Sequence, residues 1–494
     1  MTIIDHKKIP KEVQETAQYL EDAGFEAYLV GGCTRDLLLN KKPKDWDLTT
    51  NAKPEEIISL FPQDRTFCNN DFGTVGIKNE NSNEKTVKII EVTPYRTEGT
   101  YSDLRRPDTV TFGVSLHEDL KRRDFTINAL AYRIKTKELV DEFDGKNDLI
   151  AKRIKAVGNP DKRFEEDALR MMRAVRLATE LEFMIDAKTT NAIVKNNEKL
   201  SMIAIERVSE EFLRIINSKT PMQGVILLEK LGLIKHFIPE LLLGIGCKQG
   251  GAHAFDVYEH LLRTLQATAD KNYSLTMRLA ALFHDIAKPH TRKTGGKNKF
   301  YTFFGHEIVG AKLTNKIMKR LKLPNELTQK VVNLIRWHMF FADPDKITLS
   351  AVRRTITKVG KENINDLLNL RVCDRIGTGR PKEQPFRFRK YKALVDQALR
   401  DPISVKMLKI NGNQIMEIAK EKPGKRLGLV LHALLEEVLD DAGKNNSEYL
   451  KKRSLELLSI DDHKLESLAK KGKEKITIKE TEEINQILKR HSVF

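Results

Sequence analysis

The 494-residue chain has only four cysteines, Cys33, Cys68, Cys247 and Cys373, and none forms a CxxC pair. Their scatter excludes a cysteine-built zinc site and a disulfide framework, and favours a reducing compartment. Long apolar runs are missing as well: no stretch approaches the roughly 20 residues needed to span a bilayer. The opening stretch "MTIIDHKKIPKEVQETAQYL" is charged throughout and has no apolar centre of signal-peptide length. A cytoplasmic protein without membrane association is the expectation. Acidic residues are in deficit, 69 Asp and Glu against 86 Lys and Arg, which leaves a formal net charge of +17. Such an excess points to a polyanionic partner, nucleic acid ahead of an anionic surface, although a merely soluble basic protein shows the same balance.

What is present reads as an α+β protein. A 40% hydrophobic, 31% charged chain of this length can bury several cores, so two to four domains are expected. Residues 12–24 have the pattern of an amphipathic helix ending at Gly24, followed by a short strand in "EAYLV" and a Gly-Gly turn. "DWDLTT", "GTVGIK", "VKIIEVTPYR" and "DTVTFGV" alternate apolar and polar residues or are rich in Val, Ile and Thr, as strands are. From about Pro160 helix follows helix, beginning with "RFEEDALRMMRAVRLATEL".

The stretch "YLVGGCTRDLLLNKKPKDWDLTT" carries the first chemistry. On a strand, residues two apart share a face, so Asp45 and Asp47 are expected to project together while Trp46 packs on the core. Two carboxylates on one face repel unless a cation lies between them, and Mg²⁺ suits such a pair together with substrate phosphates. Gly31 and Gly32 offer backbone N–H groups at the start of a helix, and Arg35 adds charge there. Glu91 is the candidate for a third carboxylate on a neighbouring strand; an ordinary strand glutamate reads equally well.

A Gly-Gly turn followed by paired aspartates resembles the signature of the polymerase-β nucleotidyltransferase superfamily. More narrowly, it resembles the class II tRNA CCA-adding enzymes and bacterial poly(A) polymerases. The resemblance implies a nucleotidyltransferase head in which Asp45 and Asp47 hold metal ions for phosphoryl transfer, with Mg²⁺ as cofactor and tRNA, CTP and ATP as partners. "LKRRDFTINALAY" is similar to the next family motif, which implies phosphate binding by Arg123 and ribose contact by Asp124; Asn128 is either a site residue or a cap. In "EEDALRMMRAVRLA", Asp167 and Arg170 are three apart, and Arg173 and Arg176 continue the row. The plain alternative is a Glu166–Arg170 intrahelical pair. The resemblance implies that Asp167 and Arg170 read the incoming base and that Arg173 and Arg176 contact the triphosphate. "YRTEGTYSDLRRPDTVTF" resembles the flexible loop of enzymes that add A as well as C. In "AIERVSEEF", Arg207 and Glu211 have the spacing of a bracing pair.

Histidines cluster later, with His260, His284, His306 and His338 on successive predicted helices and Asp285 and Asp374 beside them. Burying a His-Asp doublet costs free energy unless the pair is matched or binds metal, and imidazole with carboxylate suits Mn, Ni, Fe or Zn. This set resembles the HD phosphohydrolase domain. The resemblance implies a main metal site of His260, His284, Asp285 and Asp374, with His306 and His338 for a second ion and Lys288 meeting phosphate.

The expected layout is a polymerase-β-like head with a mixed sheet at 1–150, a helical neck with the base-recognition helix at 151–225, an HD phosphohydrolase domain at 226–380 and a basic helical tail at 381–494. "PGKR", residues 423–426, opens a tail helix that either holds an RNA phosphate or is simply solvated. "LAKKGKEKITIKETEEINQILKRHSVF" reads as a mostly exposed, partly ordered end. The expected function is addition of CCA to tRNA 3′ ends with an HD phosphohydrolase activity; the alternatives are a poly(A) polymerase, or a phosphohydrolase acting on RNA ends or nucleotides.

Overall fold

The computed structural model describes residues 4–68, 73–99, 109–250, 254–294, 301–340, 347–380, 382–400, 405–420 and 422–493. The chain divides into two compact units, 1–336 with 373–381, and 337–372 with 382–494. No described helix is long and apolar enough to cross a membrane.

The first unit opens with α1 (Lys11–Asp22), which buries Val13, Ala17 and Leu20 and ends before Gly24. Among the described residues nine strands follow: β1 (Tyr28–Val30), β2 (Asp47–Thr50), β3 (Thr66–Cys68), β4 (Val75–Lys78), β5 (Ile89–Pro94), β6 (Arg96–Glu98), β7 (Val110–Phe112), β8 (Ala131–Arg133) and β9 (Glu138–Val140). Seven of them form one mixed sheet in the order β3-β4-β5-β2-β1-β8-β9, in which β2 and β5 run parallel and the other pairs are antiparallel. β6 and β7 form a separate ribbon. They flank the loop read from the sequence, whose residues 100–108 lie outside the described residues.

Short helices α2 (Gly32–Leu38), α3 (Pro54–Ser59), α4 (Leu116–Lys121) and α5 (Gly145–Ile150) connect the strands. One core of this region gathers Tyr28, Val30, Tyr95, Leu120, Ala129, Ala131 and Val157. Trp46 is buried as expected.

Helices then dominate: α6 (Pro160–Glu166), α7 (Leu169–Leu181), α8 (Ala187–Asn196), α9 (Ile205–Ile216) and α10 (Pro221–Lys230), with a small parallel pair, β10 (Arg153–Ile154) and β11 (Met184–Ile185). The continuous helix expected across "RFEEDALRMM" is broken. Asp167 adopts an extended conformation between α6 and α7, and its carboxylate accepts from the Leu169 N–H at 3.0 Å. An aspartate that caps the following turn competes with helix continuation, which accounts for the break. Next come α11 (Val257–Asp270), α12 (Leu275–Phe283), α13 (Lys288–Thr291), the hairpin β12–β13 (Lys293–Thr294 and Tyr301–Thr302), α14 (His306–Arg320) and α15 (Asn325–Trp337).

The second unit contains α16 (Leu349–Val359), most of α17 (Ile364–Gly377), α18 (Phe386–Leu399), α19 (Gly412–Ala419), α20 (Lys425–Asp440), α21 (Ser447–Leu458) and α22 (Asp462–Arg490). The end read as partly ordered is instead the 29-residue helix α22. Leu465 is buried in the core of this unit, and Leu468 and Ile476 pack against it. At Gly472 a Cβ would lie 2.4 Å from the His432 carbonyl of α20, so glycine is what permits the close helix approach. In "PGKR", Arg426 donates to the carbonyls of Leu458 and Ile460 at 3.0 and 2.8 Å and pairs with Asp462, which makes it an internal brace.

Candidate functional site

β1 runs into Gly31, which takes φ +71° and starts α2. A Cβ there would sit 3.4 Å from an Arg123 guanidinium nitrogen and 3.6 Å from Asp47 Oδ2, ordinary contacts, so it is the left-handed conformation that calls for glycine. Gly32 adjoins the Arg35 guanidinium and Asp45 Oδ1.

Asp45 does not lie on the strand, as the alternation had suggested; β2 begins at Asp47, and Asp45 is an exposed bend residue before it. The carboxylates nevertheless converge. Asp47 pairs in register with Glu91 across the parallel β2–β5 ladder. Burial, then Asp45, then Glu91 push the Asp47 carboxyl up to about 7, against the opposing pull of Arg123. Three carboxylates with one guanidinium are an electrostatically underpaid corner, and a hard divalent cation fits that donor set.

Arg123 is held from behind by Asp119, a fully buried carboxylate that accepts from Arg123 at 3.1 Å and from Arg122 at 2.7 Å. Burial raises the Asp119 carboxyl, but Arg123 and Arg122 outweigh it and hold it below the usual range. The Arg123 Nε is buried without a hydrogen-bond partner. Sequence reading missed Asp119, although its spacing three and four residues before two arginines was a usable sign.

Asp124 is enclosed. Its oxygens accept from the Phe125 N–H at 2.8 Å, from Asn128 Nδ2 at 3.1 Å and from Arg173 at 2.6 Å. Asn128 in turn accepts from Arg35 at 2.7 Å and so bridges Arg35 to Asp124. Burial raises Asp124, yet Arg173 and Asn128 hold it well below the carboxylate range. Arg35 also pairs with Asp36.

Asp167, Arg170, Arg173 and Arg176 do not form one helical row, because Asp167 precedes α7. The Glu166–Arg170 pair is present, and Arg170 also donates to the carbonyls of Arg163 and Arg122 at 3.2 and 3.0 Å. Arg207 pairs with Asp167 at 2.8 Å, not with Glu211. Glu211 lies 2.9 Å from Arg176 instead, and both are buried. Capacity remains at the edge: a carboxylate has about four acceptor positions and a guanidinium five donors, and these bonds do not exhaust either Asp167 or Arg170.

A second cluster lies in α11, α12, the turn after it and α17. His260 Nε2 is 3.1 Å from His284 Nε2 and 3.3 Å from oxygens of both Asp285 and Asp374. His284 Nδ1 donates to the Ala281 carbonyl at 2.9 Å, which leaves Nε2 to face the cluster. His306 is oriented the same way through Phe303, and its Nε2 is 3.1 Å from Asp285. His260, His284 and Asp285 are positioned as a group able to hold one metal ion. Burial lowers the His284 imidazole, but Asp285 and Asp374 outweigh it and raise it to about 10. Lys288 bridges Asp285 and Gln249, both at 2.6 Å; sequence reading did not find Gln249, which lies inside the glycine-rich break "GCKQGGAH" and carries no pattern. His338 is buried in the second unit, just beyond α15.

Family models match three consecutive segments: a Poly A polymerase head domain over 27–155, a probable RNA and SrmB-binding site of polymerase A over 182–243, and an HD domain over 257–376. A CCA-adding enzyme of Enterococcus faecalis is 33% identical over 446 residues, covering 90% of this chain and 95% of that protein. A CCA-adding enzyme of Lactobacillus delbrueckii subsp. bulgaricus is 47% identical over 224 residues, and there the match spans 54%, about half, of the relative's length. Among solved structures, the Bacillus stearothermophilus CCA-adding enzyme in complex with CTP aligns with a TM-score of 0.59 at 26% identity, covering 90% of this chain and 98% of that one.

Proposed function

This chain belongs to the CCA-adding enzyme family of nucleotidyltransferases, and on that premise we propose that it adds C, C and A to tRNA 3′ ends from CTP and ATP. The observation that carries the reading is the convergence of Asp45, Asp47 and Glu91 beside the Gly31 turn, where burial and then the two neighbouring carboxylates raise Asp47 to about 7. Mg²⁺ bound by these carboxylates would supply the charge that makes an RNA 3′-hydroxyl a nucleophile and steadies the triphosphate.

The chain's own groups do the rest. The Gly31-Gly32 backbone offers N–H groups to phosphate, and Arg123, fixed by Asp119, meets the triphosphate charge. Asp124, held by Arg173 and Asn128, orients the ribose side, with Arg35 bracing Asn128. Asp167 accepts from a base amino group while Arg170 donates to a base acceptor; Arg207 and Glu166 fix their orientation. Arg173 reaches from the neck toward the phosphates, and Arg176 supports it through the shared Glu211. In this division of labour residues 1–150 are the head, 151–225 the neck, 226–380 the HD domain and 381–494 a tRNA-binding tail.

The test is extension of a tRNA lacking its last three nucleotides with each of the four nucleoside triphosphates. Addition of C, C and A followed by a stop supports the proposal; an open ladder from ATP alone makes the protein a poly(A) polymerase.

We also propose a phosphohydrolase activity at His260, His284, Asp285 and Asp374, supported by the approach of both carboxylates to the Nε2 atoms of both imidazoles, at 3.3 to 3.7 Å. Mn, Ni, Fe or Zn suits this set, with His306 available for a second ion. Phosphate release from nucleotide or RNA phosphoesters by the metal-loaded protein, lost in Asp285→Ala, tests it.

A further inference from the structure

The hairpin between α13 and α14 has features that packing does not explain. Its sequence, "TRKTGGKNKFYTFFG", interleaves cations with aromatic rings. On it the Arg292 guanidinium stacks 3.6 Å above the Tyr301 ring, and both side chains are partly exposed. Phe304 is 86% exposed, more than any other large apolar residue on the described surface.

Both strands lead straight into the histidine cluster. Four residues before Arg292, Lys288 bonds Asp285 at 2.6 Å, and its Nζ is 5.5 Å from the Phe303 ring centroid. Two residues after Tyr301, the Phe303 carbonyl accepts from His306, whose other nitrogen faces Asp285. Arg292 also acts on Cys247, lowering a thiol that burial raises. A planar cation layered on a ring and a bare second ring, set at the rim of a phosphate-directed centre, are the parts of a base-stacking platform.

We propose that Arg292, Tyr301 and Phe304 form a nucleobase-stacking rim that makes the histidine centre selective for phosphoesters carried on a nucleoside, as at an RNA end. The inference rests on the phosphohydrolase reading and adds its specificity determinant. The base lies against the guanidinium face or the Phe304 ring, and its sugar phosphate is directed toward Lys288 and the cluster. Neither ring touches the reacting phosphorus, so these are specificity residues.

The test compares full-length, Ni²⁺-loaded protein with Tyr301→Ala, Phe304→Ala and Tyr301→Phe variants, using adenosine 2′-monophosphate and 4-nitrophenyl phosphate. The alanine variants should lose about tenfold or more in kcat/KM on the nucleotide, mainly through KM, while the aryl ester is unchanged and Tyr301→Phe behaves as wild type. Equal loss on both esters, or no loss on either, overturns the rim. If wild type hydrolyses neither ester, the phosphohydrolase reading fails on its own account. A second readout then still decides the rim: an RNA ending in 4-thiouridine, photolysed on the protein, should cross-link at Tyr301 or Phe304, and cross-links found only elsewhere overturn it.

Discussion

Asp47 and Glu91 occupy paired positions on adjacent parallel strands, so two carboxylates are fixed on one sheet face beside the Gly31 turn. In the absence of a cation this arrangement works against the fold. The Asp47 carboxyl, raised to about 7, takes up a proton in the native state that the unfolded chain, near 3.8, has already lost.

The sign follows from linkage: a carboxyl raised on folding favours the native state at acid pH and opposes it as pH climbs from about 4 to about 7. Asp47→Asn should therefore raise the melting temperature of the metal-free protein at pH 8, by the equivalent of at most about 4 kcal/mol, and change little at pH 4. Mg²⁺ should stabilise the wild type and leave the variant unmoved. Thermal melts at the two pH values, with and without Mg²⁺, check both expectations.

Asp124 has the opposite sign. Arg173 and Asn128 depress its carboxyl, so its stabilisation is complete above the unfolded value near 3.8 and is lost as pH falls below that. Asp124→Asn leaves Arg173 with only the more distant Glu211, at 3.9 Å, and should cost about 3 kcal/mol at pH 7. The acid limb of the stability curve should also flatten, as denaturant melts at pH 3, 5 and 7 would register.

How much of this was legible in the sequence depends on range. The Gly-Gly turn, the strand segments and the histidine cluster were readable, because φ-permissive residues, alternation and His-Asp spacing are local signals. Arg207 was misassigned because its local partner at i+4, Glu211, looked sufficient, whereas the fold offers Asp167 forty residues away in sequence. The break at Asp167 was hidden by strong helix formers on both sides. α22 was underrated because its apolar residues are sparse; it is held by Leu465, Leu468 and Ile476 at the core, by the close approach to α20 at Gly472, and by Lys475 on Glu436 and Asp440.

Arg207 fixes the Asp167 carboxylate at 2.8 Å without being a base-reading group itself. Arg207→Ala should therefore relax discrimination between CTP, ATP and UTP and raise KM about tenfold. The partly exposed pair contributes only about 1 kcal/mol or less to stability. Steady-state kinetics with each nucleotide, alongside a thermal melt, separates the two effects.

The raised His284 imidazole makes a proton the competitor of any metal at the second cluster. Binding of Ni²⁺ should release protons and tighten as pH rises from 6 to 9. Titration calorimetry in buffers of different ionisation enthalpy counts the protons, and His284→Ala should abolish both the binding and the release.

The most direct test of the nucleotidyltransferase assignment is single-nucleotide extension of a tRNA lacking CCA by wild-type and Asp45→Ala proteins, with tRNA binding measured in parallel. The expected result is C, C and A added by the wild type in Mg²⁺, and no addition by Asp45→Ala although it still binds the tRNA. Undiminished addition by Asp45→Ala would contradict the role given to the carboxylates of Asp45, Asp47 and Glu91.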